Sequence, residues 1–549
     1  MRIALAQFDP IVGDIAGNTA RMGQLIDRAA ADGCDLVVFG ELAVAGYPPR
    51  DLLRKEQFVA DNVAAVEALA GRCTRTAALV GFVRPTPSPR GRPLQNAAAL
   101  LAEGEVRLVH VKTLLPTYDV FDETRYFEPG GRPRCIDLAD ARIGLSICED
   151  LWDAAALGRE LYGEDPIGFL AGQGARIIVN MAASPYQRGK AALREDLFAR
   201  QAARHRAAIV YVNQVGGNDE LIFDGGSCVV SPEGKLLGRA ASFREDLLVV
   251  DLGAAPGRIE PLADETARLW EALKLGLRDY VAKCGFRSVV LGLSGGIDSA
   301  VVAALAADAL GGENVHTLAM PSRHSSDHSL ADAAALAANL HLRHRVIPIE
   351  PMHAAFEAAL AETLAAGGTD TAAENVQARI RGTLVMADSN ALGHLALATG
   401  NKSELSCGYC TLYGDMAGGL APIGDVLKTA VYELARHANA AAGGPCIPEN
   451  TLLKPPSAEL KPGQVDQDKL PPYDLLDAIL TRYIEEDETA EEIIAAGLPA
   501  EEVQRVVRMV DSAEHKRQQA PPVLKVTTRA FGSGRRMPIA QRYVPAGGP

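Results

Sequence analysis

Short aliphatic and β-branched runs alternate with longer amphipathic stretches along almost the whole chain. This rhythm restricts it to sheets flanked by helices. In the first half the strand-like runs include residues 36–39, 143–147, 177–179 and 209–212, with helical patterns at 18–31 and 188–206. Residues 2–8 read as an opening strand that turns at Asp9 and Pro10. A last run at 247–250 precedes Gly253, Pro256 and Gly257, which punctuate 253–261 as a linker. A second unit begins near residue 262 with a helix through 283. Strands at 288–293, 315–319 and 346–349 follow, separated by helices at 299–310 and 330–340. Such alternation predicts a parallel, doubly wound sheet. Two α/β domains, 1–252 and 262–549, are expected, although 549 residues would allow about three or four.

Composition narrows the function. A net charge of −14 argues against general binding to nucleic acid or anionic membrane, since phosphate affinity needs a positive footprint. No apolar run approaches the ~18 residues that span a bilayer, and residues 2–8 are too short for a signal-peptide core. Nine scattered cysteines favour reduced thiols and a cytoplasmic location over a disulfide framework. Cys407 and Cys410 make one CxxC without a second ligand pair, and the eleven histidines lack HExxH spacing. Both cysteines read as packing residues, and no structural zinc is expected. Positive charge gathers at the C-terminus, where no acid follows Glu514 but Lys516, Arg517, Lys525, Arg529, Arg535 and Arg536 do.

Two segments carry chemistry. Ser294-Gly-Gly-Ile-Asp-Ser299 lies between an expected strand and an expected helix. Adjacent glycines let backbone N–H groups approach a phosphate, and the helix N-terminus behind them favours negative charge. Asp298 would repel a bare phosphate, so its useful role is to hold Mg²⁺ against one. A glycine turn capped by serine is the plain alternative, and the absence of a Gly-Lys-Ser/Thr ending excludes a Walker loop. In the first half, Glu41, Lys112 and Cys148 each sit just beyond an expected strand. A thiol of ordinary pKa needs a base to attack a carbonyl. Glu41 can take that proton, and Lys112 can stabilise an oxyanion and bias Cys148 toward thiolate. Buried, inert packing of Cys148 is the competing reading.

The Ser294 loop resembles the signature of the PP-loop (ATP-pyrophosphatase) ligases, in the adenine-nucleotide α-hydrolase fold class. Further motifs are similar to those of NAD synthetases: Glu374-Asn-Val-Gln-Ala-Arg-Ile-Arg381, Thr399-Gly-Asn-Lys-Ser-Glu404, Tyr409-Cys-Thr-Leu-Tyr-Gly-Asp415 and Lys454-Pro-Pro-Ser-Ala-Glu459. The resemblance implies ATP, Mg²⁺ and deamido-NAD as ligands. It assigns ATP contacts to Gly292, Leu293, Ser294, Gly295, Gly296, Ile297, Asp298, Ser299, Thr399, Lys428 and Ser457. Asp298 and Glu404 fall at the magnesium ligands, and Asn375, Arg379, Glu404 and Lys516 near the dinucleotide. Where stand-alone, ammonia-using members carry a lysine, this sequence has Leu412.

The flanks of the three reactive residues, Glu41-Leu-Ala-Val-Ala-Gly-Tyr-Pro-Pro49, the stretch Lys112 to Glu123, and Ile147-Cys-Glu-Asp150, resemble the nitrilase-type glutaminase domain fused to NAD synthetases. That resemblance implies a four-layer αββα sandwich, a Glu41–Lys112–Cys148 triad, and glutamine contacts at Tyr118, Ser184 and Lys190, with Glu123 as an extra acid. The expected reaction releases ammonia from glutamine at Cys148 and places it on an adenylated nicotinate. Free ammonia would be protonated in water, so sheltered transfer and coupled sites are expected, in a homo-oligomer joined through the synthetase-like half. Another PP-loop amidotransferase, acting on a different acceptor, and a non-catalytic nucleotide or glutamine sensor are the alternatives.

Overall fold

The computed structural model describes residues 1–366 and 371–543. The chain divides into two compact units, Met1–Ala263 and Asp264–Pro549.

The first unit holds two six-stranded sheets. One contains β1 (Arg2–Gln7), β2 (Leu36–Val38), β3 (Ala77–Pro85), β4 (Leu94–Ala102) and β5 (Glu105–Val111). The other contains β6 (Cys135–Leu138), β7 (Ala141–Ile147), β8 (Ile177–Ala182) and β9 (Ala208–Asn213). A ribbon of β10 (Val215–Asn218) and β11 (Leu221–Asp224) follows, then β12 (Cys228–Val230), β13 (Leu236–Arg239) and β14 (Asp246–Asp251). The strand orders are β14-β1-β2-β3-β4-β5 and β13-β12-β9-β8-β7-β6.

Why the strands read as unbroken apolar runs is visible in β1 and β2. Ile3, Leu5, Leu36 and Val38 join the core shared by the two sheets. Ala4, Ala6, Val37 and Phe39 face the other way, onto the helices Ile15–Ala31 and Glu56–Ala70. A strand buried on both faces has no solvent side to mark with polar residues. The helices Pro166–Gly172 and Lys190–His205 contribute Leu170, Leu197 and Phe198 on the second sheet, completing an αββα stack. Both ends of this architecture are set locally. Asp14 accepts from the Gly17 N–H at 2.9 Å, and Asp165 accepts from Gly168 at 2.8 Å with Pro166 at the first turn. The stretch 253–261 is not a free tether. Gly257 donates to the Leu237 carbonyl, Arg239 to that of Arg258, and Glu260 to that of Arg239, so it runs alongside β13.

The second unit is built on a parallel sheet ordered β17-β16-β15-β18, with β15 (Val289–Gly292), β16 (Val315–Ala319), β17 (Arg343–Val346) and β18 (Leu395–Ala396). The chain moves outward from β15 to β17 and then returns to the far side of β15. Such a reversal opens a crevice at the strand's carboxyl end. Helix Ile297–Leu310 starts there, and Thr371–Leu392 covers the opposite face, bringing Val385 against Val290, Leu318 and Ala396. A helical layer formed by Tyr473–Leu480 and Ala500–Ser512 packs Leu476, Ile479, Val503 and Val507 around Cys407.

One strand differs from the sequence reading. The third strand of this sheet is Arg343–Val346, not 346–349. Pro348 has no N–H for a ladder, and Ile349 is buried where the helix Glu350–Ala359 begins. The true strand lies at the sheet's edge and exposes Arg343, Arg345 and Val346.

Leu79, fully buried between the sheets of the first unit, gauges this core. Leu79→Ala should lower that unit's stability by about 2–5 kcal/mol, read from urea unfolding by Trp152 fluorescence in a Trp270→Phe background. An unchanged midpoint would place Leu79 outside the cooperative core.

Candidate active sites

In the first unit, Glu41 follows β2, Lys112 follows β5, and Cys148 follows β7. Their backbones are held by the fold itself. Asp150 accepts from the N–H groups of Thr113 (3.0 Å), Leu114 (2.8 Å) and Ile147 (2.9 Å), stitching the end of β5 to the end of β7. Cys148 opens a helical turn with φ +43°, a left-handed conformation that lifts the side chain off the strand line.

Lys112 has no exposed surface. Its Nζ donates to Glu41 Oε1 at 2.7 Å and to Glu123 Oε1 at 2.8 Å. Asn96 Nδ2 donates to Glu41 Oε1 at 2.7 Å, the Ala183 N–H to Glu41 Oε2 at 3.2 Å, and Tyr47 OH to Glu123 Oε1 at 2.9 Å. Burial alone would depress the Lys112 ammonium, but the charges of Glu123 and Glu41 hold it well above its ordinary value. Burial pushes the Glu123 carboxyl up to about 7 against the pull of Lys112. The Cys148 thiol is also pushed well up, by burial and then by the charge of Glu41, with Lys112 opposing. Lys112 pulls Cys148 toward thiolate as expected, but burial and the charge of Glu41 outweigh that pull.

The expected glutamine contacts surround the same mouth. Ser184 is buried just beyond β8, with its N–H donating to Asn213 Oδ1 at 2.8 Å. Lys190 donates to the Pro185 carbonyl at 3.1 Å and lies 5.5 Å from the centre of the Trp152 ring. Tyr118 donates to both oxygens of Glu149 at 3.0 Å. Sequence reasoning passed over Asn96, Glu149 and Tyr162. Only the adjacency of Glu149 to Cys148 offered a signal.

In the second unit the loop Gly292 to Ser299, including Leu293 and Ile297, sits at the crevice mouth. Gly295 has φ +79°, and a Cβ there would collide with the Ser329 carbonyl oxygen, so this position requires glycine. Ser294 and Ser299 hydroxyls lie 3.1 Å apart, and Ser294 Oγ accepts from the Gly296 N–H at 3.2 Å. Asp298, Glu404 and Lys428 come together from three separate helices. Lys428 Nζ donates to Asp298 Oδ2 at 2.5 Å and to Glu404 Oε1 at 3.2 Å, and Asn401 Nδ2 donates to Asp298 Oδ1 at 2.9 Å. Lys428 is 1% exposed, whereas the carboxylates of Asp298 and Glu404 each keep 18%, so a ligand reaches the acids before the lysine. Burial, with Asp298 and Asp466 adding to it, raises Glu404 to about 8 despite Lys428. Asp466, missed from sequence, accepts from Tyr473 OH at 2.8 Å beside this trio.

Asn375 and Arg379, one turn apart on the helix Thr371–Leu392, both hold the 408–415 segment. Thr411 Oγ1 donates to Asn375 Oδ1 at 3.0 Å, and Arg379 Nε to the Leu412 carbonyl at 3.2 Å. Lys516 donates to the carbonyls of Gly408 (2.6 Å) and Cys410 (2.9 Å). The Leu412 side chain packs against the apolar cluster of Ala398 and Met416. A recess opens here, lined by Gly400, Glu404, Cys410, Asp415, Met416 and Pro521. Ser457 Oγ donates to the Gln464 carbonyl at 2.5 Å in a loop that Glu459 ties to Ser326 and Ser329, and Thr399 lies between β18 and the helix Lys402–Cys407. Among the described residues no group of three or more metal-ligating His, Cys, Asp or Glu side chains occurs.

Comparison with known proteins places both halves. Residues 2–256 match the carbon-nitrogen hydrolase family and 269–520 the NAD synthase family. The glutamine-dependent NAD(+) synthetase of Synechocystis sp. is 49% identical over 557 residues, covering 99% of each chain. The chain belongs to the glutamine-dependent NAD(+) synthetases. That of Aquifex aeolicus is 42% identical, covering 99% of this chain and 100% of its own. The solved structure of the Acinetobacter baumannii synthetase, in complex with adenosine diphosphate, matches at TM-score 0.78 and 39% identity over 98% of each chain. The Cytophaga hutchinsonii synthetase shares the fold, at TM-score 0.84 and 23% identity over 98% of each chain. Among the described residues no helix is long and apolar enough to cross a membrane.

The charge balance at Cys148 is measurable by alkylation. Removing the negative charge in Glu41→Gln should shift the iodoacetamide–pH profile of Cys148, read by peptide mass spectrometry, to lower pH. Lys112→Met should shift it higher, because the thiolate is the reactive form. Shifts in the opposite senses would overturn these electrostatics.

Proposed function

We propose that the first unit hydrolyses glutamine with Cys148, Glu41 and Lys112. The second unit uses the ammonia to convert deamido-NAD to NAD, at the cost of ATP cleaved to AMP and pyrophosphate. The observation that carries this reading is a buried thiol, its pKa pushed up by burial and by the charge of Glu41, beside a buried carboxylate–ammonium pair in one unit. A glycine loop facing two acids and a lysine completes it in the other.

At the first centre Glu41 takes the thiol proton as sulfur adds to the γ-carbonyl of glutamine, and Lys112 stabilises the oxyanion. The tetrahedral adduct collapses by expelling nitrogen, which receives that proton and leaves as ammonia. A γ-glutamyl thioester remains. Glu41 then deprotonates a water that attacks the thioester, freeing glutamate and restoring the thiol. Glu123, protonated up to about pH 7, limits the negative charge around Lys112. Tyr118, Ser184 and Lys190 orient the amino-acid end of the substrate.

At the second centre the loop Gly292 to Ser299, with Thr399 and Ser457, receives ATP. Asn375, Arg379, Glu404 and Lys516 receive the dinucleotide. Asp298 and Glu404 fit Mg²⁺, since they are hard oxygen donors close enough to share one ammonium and are partly open. A Mg²⁺ bound by Asp298 and Glu404 would supply positive charge against the triphosphate. Lys428 balances the charge that grows on the α-phosphate as the nicotinate carboxylate attacks and pyrophosphate departs. Ammonia then displaces AMP from the mixed anhydride. Because ammonia in water is protonated, the reading includes sheltered transfer, in a cytoplasmic homo-oligomer.

Cys148→Ala should lose NAD formation from glutamine by at least about 10³-fold and retain it with ammonium chloride, assayed on deamido-NAD, Mg²⁺ and ATP. Loss with both nitrogen donors would contradict the division of labour.

A further inference from the structure

The motif from Glu374 to Arg381 ends in a residue that the chemistry of the second unit leaves unused. Arg381 lies two residues beyond Arg379 on the helix Thr371–Leu392, about 200° further around its axis. Arg379 reaches the 408–415 segment, whereas Arg381 turns to the sheet. Its Nε donates to the Met320 carbonyl at 3.0 Å, just beyond β16. Met320 in turn abuts the start of the glycine loop, since a Cβ on Gly292 would lie 3.2 Å from its Cε.

The rest of the guanidinium is unspent. Arg381 is mostly buried, yet among the described residues its Nη1 and Nη2 have no hydrogen-bond or ion-pair partner. Other cations beside this crevice are taken, Arg323 by Glu350 and Glu357, and Lys454 by Asp332. Glu459 is the acid whose charge Arg381 feels, but its oxygens are committed elsewhere. Oε1 accepts from Ser326 Oγ at 2.9 Å and Ser329 Oγ at 2.7 Å, and Oε2 accepts from the Ser326 N–H at 3.2 Å. Burial pushes the guanidinium down to about 10, with Glu459 opposing. A desolvated cation short of partners costs free energy that an incoming anion offsets.

The surroundings name the anion. The Glu459 N–H donates to Ser457 Oγ at 3.1 Å, and the Ser329 carbonyl is the group that forbids a side chain at Gly295. The groups around Arg381 therefore connect directly to Gly292, Gly295 and Ser457, all assigned to ATP. Resting on the assignment of this unit as the synthetase, we propose that Arg381 is a binding residue for the triphosphate of ATP. Nη1 and Nη2 donate to phosphate oxygens while Nε keeps the fork fixed on Met320. A planar fork suits two such oxygens at once, and it adds full positive charge to what the loop amides provide.

Arg381→Met, which keeps much of the length and removes the charge, tests this in the full-length protein. NAD formation is assayed with ammonium chloride, Mg²⁺ and varied ATP, with adenosine as a competitor that lacks the phosphates. The expected result is a KM for ATP raised at least about tenfold. The inhibition constant of adenosine and the KM for deamido-NAD should stay as in the unsubstituted chain. Arg381→Lys, which retains the charge, should recover part of the ATP affinity. An unchanged ATP KM, an equal rise for adenosine, or no recovery with lysine overturns the role of Arg381. An unsubstituted chain that releases no pyrophosphate from ATP and deamido-NAD would instead overturn the synthetase assignment.

Discussion

A lysine ammonium without solvent, clamped between two carboxylates, is the interaction around which the first unit is organised. Desolvating each such ion costs several kcal/mol, and only close partners offset it. Lys112 has Glu41 at 2.7 Å and Glu123 at 2.8 Å. Two anions around one cation leave an excess negative charge, which the raised Glu123 relieves by holding its proton up to about pH 7. In the proposed reaction Glu41 is then the partner that acts as base on the Cys148 thiol. The second unit repeats the device with Lys428 between Asp298 and Glu404, again with a carboxyl raised, here to about 8. The difference is access: Lys112 is sealed with its carboxylates, while Asp298 and Glu404 stay partly open to a ligand.

Much of this was legible in the sequence, for physical reasons. Strands buried on both faces must be aliphatic throughout, so β1, β2, β7, β8 and β9 announced themselves, and Glu41 and Cys148, just past the ends of β2 and β7, followed. The glycine loop was equally readable, because Gly295 occupies a backbone conformation and a contact that no side chain tolerates. The resemblance to NAD synthetases assigned Lys428 to ATP and Arg379 to the dinucleotide, without showing what either touches in the fold. The fold reveals Lys428 as a buried member of the acid trio and Arg379 as a clamp on the 408–415 segment.

What escaped lacked periodicity. The edge strand β17 carries Arg343, His344 and Arg345, so no apolar alternation marks it, and the neighbouring Ile347-Pro-Ile349 drew the reading instead. Residues 253–261 have the glycine and proline of a linker, yet pair with β13 through backbone groups that composition does not reveal. Tyr162 sits in an irregular, polar span, and its bond to Glu149 exists only because the chain folds back. Asp466 joins the synthetase centre from a loop in the same way.

Transfer of nitrogen from glutamine to the dinucleotide within one polypeptide is the claim on which everything rests. It is tested most directly with amide-¹⁵N glutamine, ATP, Mg²⁺ and deamido-NAD in the presence of unlabelled ammonium chloride, with mass analysis of the NAD formed. The account predicts that the carboxamide carries ¹⁵N well in excess of its share of the mixed ammonia pool. Label no higher than that share would contradict it, because the glutaminase centre would then be releasing ammonia to solvent rather than feeding the synthetase.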